Sequence, residues 1–308
     1  MIYLLVRGRI GNQLFQYAYA RTIQKEYEKQ GRECKIIIDD MGNLPMKYSN
    51  SLKYYDLKNV EFVNDHKMLY RTLSLYPAYG INKIIEYREK NISGTEQQAL
   101  ENRYQNVFNY FGLIRCTNDY FDISPRYRNN IIIDGFFQSE RFFRPLKDEI
   151  INTFTLSDEI KNLDYPNLDE IRNRNTVCIS IKVQHNVGNT MYDVCNNGYY
   201  ERAIQYILDR VDNPLFFICS DNVQYVKENL IDCKKYNVIE QSYDYPVHIS
   251  LAVMALSKHF IIGNTSFGWW AQYLSQNKNK IVIAPSKWYG NDTPYENIYL
   301  SNWITIEV

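Results

Sequence analysis

The stretch KHFIIGNTSFGWWAQYLSQNKNKIVIAPSKW (Lys258–Trp288) decides the fold class. Phe260–Ile262 is a short apolar run, and Gly263-Asn264-Thr265-Ser266 then places small hydrogen-bonding residues where a helix must begin. Phe267, Trp269, Trp270, Tyr273 and Leu274 crowd the following helix and leave Gly268 and Ala271 as its small residues. Ile281–Ala284 reads as a second strand, stopped by Pro285. Strand, polar turn, helix and strand make one βαβ-like unit, whose helix start attracts anions through its free backbone N–H groups. Any doubly wound α/β protein has such corners, so this one fixes a class and not a function.

The alternation extends in both directions from that unit. Thr176–Lys182, Leu215–Cys219 and Val238-Ile239 read as strands, with helices at Asn197–Arg210, Val223–Asn229 and Pro246–Leu256. At the other end, Ile2–Val6 is a strand, Gly8–Gln13 a turn, Leu14–Gln30 a helix with apolar Leu14, Ala18, Ile23 and Tyr27, and Lys35–Ile38 a strand ending in Asp39-Asp40. Asn43–Asp122 is polar and aromatic with weak periodicity, which predicts irregular helices and a long excursion. Ile131–Asp134 resumes the strands, followed by GFFQSE and a helix interrupted near Pro145. The charged, Asn-rich segment Asp158–Asn175, with Pro166, is the predicted boundary. The expected fold class is α/β: two Rossmann-like domains, 1–160 and 161–308, facing across a cleft.

Composition narrows the function. The chain has 308 residues, 45% of them hydrophobic, enough for two cores. With 35 basic and 35 acidic residues there is no broad cationic field for nucleic acid, although a local cationic pocket is compatible with that balance. The apolar run Ile2–Val6 is too short for a signal-peptide core or a membrane span, so a cytoplasmic protein without a transmembrane segment is expected, touching the inner face of a membrane through its substrate. Six dispersed cysteines lack Cys-x-x-Cys spacing and read as reduced thiols, and the four histidines lack metal-ligand spacing, so neither a metal nor a cofactor is expected. Twenty-eight tyrosines suit sugar stacking, but they rise together with Asn, Ile and Lys, as an AT-rich coding sequence produces.

Open α/β sheets bind ligands beyond the carboxyl ends of their strands. In the second half these ends present Lys182, Ser220-Asp221-Asn222 and Asn264-Thr265-Ser266: a cation, a carboxylate and a hydroxyl-rich helix start. Such a set meets the phosphates and ribose of a nucleotide. In the first half the corner is Gly8-Arg9-Ile10-Gly11-Asn12-Gln13, whose glycines permit close backbone approach. It lacks both the full dinucleotide fingerprint and a Walker-type Gly-Lys-Ser/Thr.

Four separated blocks, RGRIGNQLFQYAYAR (Arg7–Arg21), GFFQSERFF (Gly135–Phe143), FFICSDN (Phe216–Asn222) and KHFIIGNTSFGWWAQYL with IAPSKWY, resemble the inverting α-1,2-fucosyltransferases of glycosyltransferase family 11. The resemblance implies a metal-independent enzyme of the glycosyltransferase-B type. It implies transfer of L-fucose from GDP-fucose to the 2-hydroxyl of a galactose-type acceptor, soluble or lipid-linked, in surface glycan synthesis. It gives the N-terminal domain the acceptor side and the glycine loop, and the C-terminal domain the nucleotide sugar. Gly8, Gly11, Asn12, Gln13, Lys182, Asp221, Asn222, Asn264, Thr265 and Ser266 are the implied donor-binding residues.

One block departs from the family. Where it writes His-x-Arg-Arg-Gly-Asp-Tyr, this chain has Ser180-Ile181-Lys182-Val183-Gln184-His185-Asn186. Lys182 falls on the first Arg, expected at the pyrophosphate, and keeps its charge without the bidentate fork. Val183 replaces the second, and His185 takes the Asp position. A lost active-site cation costs about 2 to 4 kcal/mol of transition-state stabilisation unless replaced, and Arg9 is the candidate replacement. Lys182, His185 and Arg9 are thus the catalytic candidates, with Asp39, Asp40, Glu140 and Asp193 as further candidate bases. A different nucleotide sugar, or a non-catalytic sugar-binding relative, stays open as an alternative.

Overall fold

The computed structural model describes residues 1–40, 48–63, 73–196 and 198–308. They form two compact units: Met1–Thr153 with Asp292–Tyr299, and Phe154–Asn291 with Leu300–Val308. The division therefore falls between Thr153 and Phe154, ahead of the boundary expected from sequence, and the chain returns once to its first unit. The segment Asp158–Asn175, the boundary expected from sequence, carries two short helices, Ser157–Lys161 and Leu168–Asn173. Their buried Ile160, Leu168 and Ile171 give them a packing role in the second unit.

The first unit is a parallel sheet of β1 (Ile2–Leu5), β2 (Ile36–Asp39), β3 (Val60–Val63), β4 (Leu113–Cys116) and β5 (Ile131–Gly135), in the order β3-β2-β1-β5-β4. The apolar runs of β1, β2 and β5 are covered on both faces, as parallel strands require. Helix α1 (Ile10–Lys29) buries Leu14, Ala18, Ile23 and Tyr27, as its spacing predicts. It starts earlier than expected. Gly8 turns the chain at φ +77°, Arg9 is extended, and the N–H groups of Asn12 and Gln13 donate to the Arg9 carbonyl at 3.0 and 3.1 Å. Gly11, Asn12 and Gln13 therefore occupy the first helical turn and not a loop.

The middle of the chain is more regular than its sequence suggests. Helices α2 (Tyr76–Glu89) and α3 (Gly94–Phe111) lie there, together with β3 and β4. A capping box, Ser93 with Glu96, starts α3, and Gly112 in the left-handed region ends it. Its inward residues include Glu101 and Asn109 beside Phe108, so the buried stripe is polar and the hydrophobic period is masked. Residues 43–47 and 64–72 of the expected excursion lie outside the described residues.

The second unit is a parallel sheet of β6 (Thr176–Ile181), β7 (Leu215–Ser220), β8 (Val238–Glu240), β9 (His259–Ile262), β10 (Val282–Pro285) and β11 (Ile304–Ile306). Its order is β11-β10-β9-β6-β7-β8. Every strand but β11 sits where its apolar run predicts; three residues at the chain end carry too little pattern to read. The helix after β6, Tyr199–Leu208, matches the predicted span, whose first residue, Asn197, lies outside the described residues. The helix Ser266–Leu274 buries Trp269 and Trp270 completely, and Trp270 meets Phe154 edge-on at 5.4 Å. A Cβ on Gly268 would sit 2.8 Å from the Ser180 hydroxyl oxygen, so this glycine lets the helix lie close on β6.

Candidate functional site

Each sheet reverses its strand order beside the first strand that the chain lays down, between β1 and β5 and between β6 and β9. Ligands of open parallel sheets bind outside the carboxyl ends of strands at such switch points. In the second unit the flanking residues are Lys182 after β6 and Gly263-Asn264 after β9.

Lys182 forms an ion pair with Asp221, which follows β7. The Asp221 carboxylate also accepts the N–H groups of Val183 at 2.8 Å and Gln184 at 3.3 Å, so it grips the strand-to-loop transition as well as the cation. The cap of the next helix, Val223–Asn229, is Asn222, whose Oδ1 accepts the Tyr225 N–H at 3.0 Å. Lys182 and Asp221 are a fifth to a quarter exposed, so the pair faces solvent at the strand ends.

Asn264 is buried, and its Nδ2 donates to the carbonyls of Tyr192 at 3.1 Å and Trp288 at 2.9 Å. It ties the loop after β6 to the chain after β10. Thr265 caps the helix, its Oγ1 accepting the Gly268 N–H at 3.1 Å, and Ser266 is the first helical residue. A cavity of about 90 Å³ lies under the loop, lined in part by Lys182, Asn186, Asp193, Cys195, Tyr200 and Asn264. Ligand pockets for whole small molecules run from about 300 Å³, so this hollow takes a single polar group and not a nucleotide. Burial pushes the Cys195 thiol up to about 12, which leaves it inert as a nucleophile. His185 is exposed at φ +66° in the loop. Asp193 accepts the Gly188 N–H at 2.8 Å.

In the first unit, Asn12 packs against the Cα of Gly8, where any Cβ would lie 2.4 Å from its Nδ2. Its Oδ1 accepts the Gln138 Nε2–H at 2.7 Å, joining the RGRIGNQ and GFFQSE blocks. Gln13 is fully buried: Nε2 donates to the carbonyls of Gly8 (2.8 Å) and Ser49 (2.9 Å), and Oε1 accepts the Ser51 N–H at 2.7 Å. Those bonds make it a brace for the loop. Arg9 is exposed, its guanidinium 5.2 Å from the Tyr48 ring centroid. Of the other candidate bases, Glu140 lies 3.3 Å from Lys147 and 3.4 Å from Arg144, and Asp40 lies 3.8 Å from Lys53.

Sequence reasoning overlooked a charge cluster at the β1/β5 switch point. Arg7 meets Asp134 at 2.7 Å and pairs with Glu86, while Arg115 pairs with Asp134 and Glu89 and lies 3.1 Å from Glu101. Asn82 bridges, donating to Asp134 at 2.8 Å and accepting from Arg115 at 2.9 Å. Burial opposes the charge on Asp134, yet Arg115 and Arg7 outweigh it and hold the carboxyl below its usual range. For Glu101 burial wins over Arg115 and pushes the carboxyl up to about 7. The available signal was Asp134 itself, a carboxylate closing the apolar run Ile131–Ile133.

Two parallel sheets, each with a polar corner at its switch point, define a doubly wound α/β class whose ligands bind at those corners. The profile of Glycosyl transferase family 11 matches residues 1–307, and the chain belongs to that family: it is a glycosyltransferase. It is 25% identical to an alpha-1,2-colitosyltransferase of Escherichia coli over 299 residues, covering 92% of this chain and 90% of that one. It is 21% identical to the O-antigen biosynthesis glycosyltransferase WbnK of Escherichia coli over 316 residues, covering 99% and 100%. Among solved structures, the NodZ alpha-1,6-fucosyltransferase soaked with GDP-fucose aligns at a TM-score of 0.48 and 16% identity, covering 89% of this chain and 91% of that chain. Among the described residues no helix is long and apolar enough to cross a membrane, and no cluster of His, Cys, Asp and Glu has the makings of a metal site.

Proposed function

We propose that this glycosyltransferase moves L-fucose from GDP-fucose to the 2-hydroxyl of a galactose-type acceptor, with inversion. The observation that carries the reading is the β6/β9 switch point, where Lys182 stands at one strand end and the Thr265-capped helix begins beyond the other. In the reaction the acceptor oxygen attacks the anomeric carbon as the bond from that carbon to the β-phosphate oxygen breaks, and GDP leaves with the electron pair. The acceptor proton passes to a base, for which His185 and Asp193 on the loop after β6 are the candidates. Lys182 meets the charge that grows on the leaving diphosphate, and the N–H groups at Ser266 add their dipole. Asp221 orients Lys182 and contacts the nucleoside, with Asn222 beside it. Gly8, Gly11 and Asn12 of the first unit are proposed donor contacts, and Arg9 a supplementary cation. The acceptor is read as a lipid-linked glycan presented at the inner face of the membrane.

A second reading concerns the donor. The altered loop Lys182–Asn186 lies where the family keeps its paired arginines, and the E. coli relative transfers colitose by name. A deoxy sugar other than fucose fits the same frame. Release of GDP is therefore measured with GDP-fucose and with GDP-colitose against a panel of galactosides. Release from GDP-fucose with formation of an α-1,2 linkage is expected. Release only from the other donor replaces fucose in the reading, and tight GDP binding without release from either donor rejects catalysis.

A further inference from the structure

We infer that the outward face of helices α2 and α3 is a docking surface for an anionic phospholipid membrane. This rests on the lipid-linked-acceptor reading. Both helices pack on the same face of the first sheet: Ala78 and Ile85 of α2 and Phe108 of α3 join one core with Tyr3, Leu113 and Ile132. Their opposite sides consequently point away from that sheet together. There α2 presents Ile84 and Tyr87, 61% and 72% exposed, and α3 presents Tyr104, Val107 and Tyr110, all between 42% and 52% exposed.

Cations predominate on this side. Lys83, Arg88, Lys90 and Arg103 are exposed, and the guanidinium groups of Arg126 and Arg128 lie 5.5 and 5.2 Å from the Tyr110 ring centroid. The carboxylates of the two helices are engaged in ion pairs or in the helix cap. Glu86 pairs with Arg7 and Lys83, Glu89 and Glu101 face Arg115, and Glu96 closes the capping box. A chain of zero net charge thus concentrates cations around a row of exposed tyrosines.

From Arg128 an open cavity of about 440 Å³ continues, lined by Arg32, Ser74, Tyr127, Arg128, Asn129 and Asn130. Arg32 is held there by the Tyr127 carbonyl at 2.8 Å and Asn129 Oδ1 at 3.0 Å, and among the described residues no carboxylate lines the space. Two guanidinium groups with hydroxyl and amide neighbours suit phosphate headgroups. Tyrosines seat at the boundary between headgroups and acyl chains, and nearby Lys and Arg side chains are drawn to the negative surface potential. Single apolar side chains among cations fit such shallow insertion; a protein interface has a contiguous dry centre.

The test is co-sedimentation with vesicles, without donor or acceptor, so that membrane binding is scored apart from sugar transfer. The protein should pellet with vesicles containing phosphatidylglycerol at low salt, stay in the supernatant with pure phosphatidylcholine, and be released by high salt. Arg103→Glu with Arg128→Glu, and separately Tyr87→Ser with Tyr110→Ser, should each weaken vesicle binding at least tenfold. Both variants should keep the parent thermal midpoint and its GDP release with a soluble galactoside. A parent protein that stays in the supernatant with anionic vesicles overturns the inference, as does pelleting that ignores lipid charge or survives both pairs of substitutions. Transfer that fails with every galactoside, soluble or lipid-linked, while vesicle binding follows the expected pattern rejects the acceptor reading and leaves the surface standing.

Discussion

The two switch points share a topology and differ in what fills them. At β1/β5 the inner pair is closed, Arg115 being 2% exposed and Asp134 fully buried, and Arg7, at 33%, reaches the rim of the network. At β6/β9 it is open, with Lys182 and Asp221 at 22% and 23%. A buried pair costs a large desolvation and is destabilising to break, whereas a partly exposed pair is weaker and can exchange one partner for a substrate. The parallel sheet supplies both corners, and the burial of the Arg115–Asp134 pair marks the brace against the candidate site.

Breaking the closed corner should have the largest effect. Asp134→Ala leaves Arg115 buried without its main partner and should cost about 3 to 5 kcal/mol of stability, read as a fall in the urea midpoint. An unchanged midpoint would erase the contrast between the corners. Lys182→Ala should leave stability within about 1 kcal/mol, as a partly exposed, solvent-screened pair predicts, while lowering kcat/KM at least a hundredfold, in line with a lost transition-state charge contact. Arg9→Ala measures the supplementary cation: a loss as large as that of Lys182→Ala supports its role, and a near-parental rate removes it.

Gln13→Ala strips the Ser51 N–H of its buried acceptor and should cost about 1 to 3 kcal/mol. The Gln13 prediction separates bracing from donor binding, because a bracing role lowers the midpoint before it changes the affinity for GDP. The smallest effect is a pH dependence in the closed corner. The folded Glu101 carboxyl is raised from its ordinary value of 4.5 to about 7, so the folded state binds the extra proton between those values. Its contribution to stability is present below the lower value and is lost as pH rises through the upper. Glu101→Gln should therefore gain on the parent between pH 5 and 8 in urea melts. A constant difference across that range would mean that Glu101 is ionised throughout.

Much of the frame is legible from sequence because buried parallel strands read as uninterrupted apolar runs and the turns between them as Gly, Asn and Ser. The βαβ unit from His259 to Pro285 falls where its sequence puts it. Regions whose inward faces are polar are not legible. Helix α3 hides Glu101 and Asn109 inside, so its period fades although Ser93 and Glu96 announce its start. The β6/β9 corner was found as a set of residue types at strand ends. What those residues touch was not, since Asn264 answers to Tyr192 and Trp288, and Gln13 to Ser49 and Ser51.

The sequence by itself determined the alternation of strands and helices, the two sheets and the family, because these rest on local periodicity and on ordered blocks of residue types. Only the tertiary structure decided which polar strand ends are closed and which are open. Desolvation and charge pairing are set by neighbours far away along the chain, such as Arg7 against Asp134 and Lys182 against Asp221, and local pattern carries no record of them.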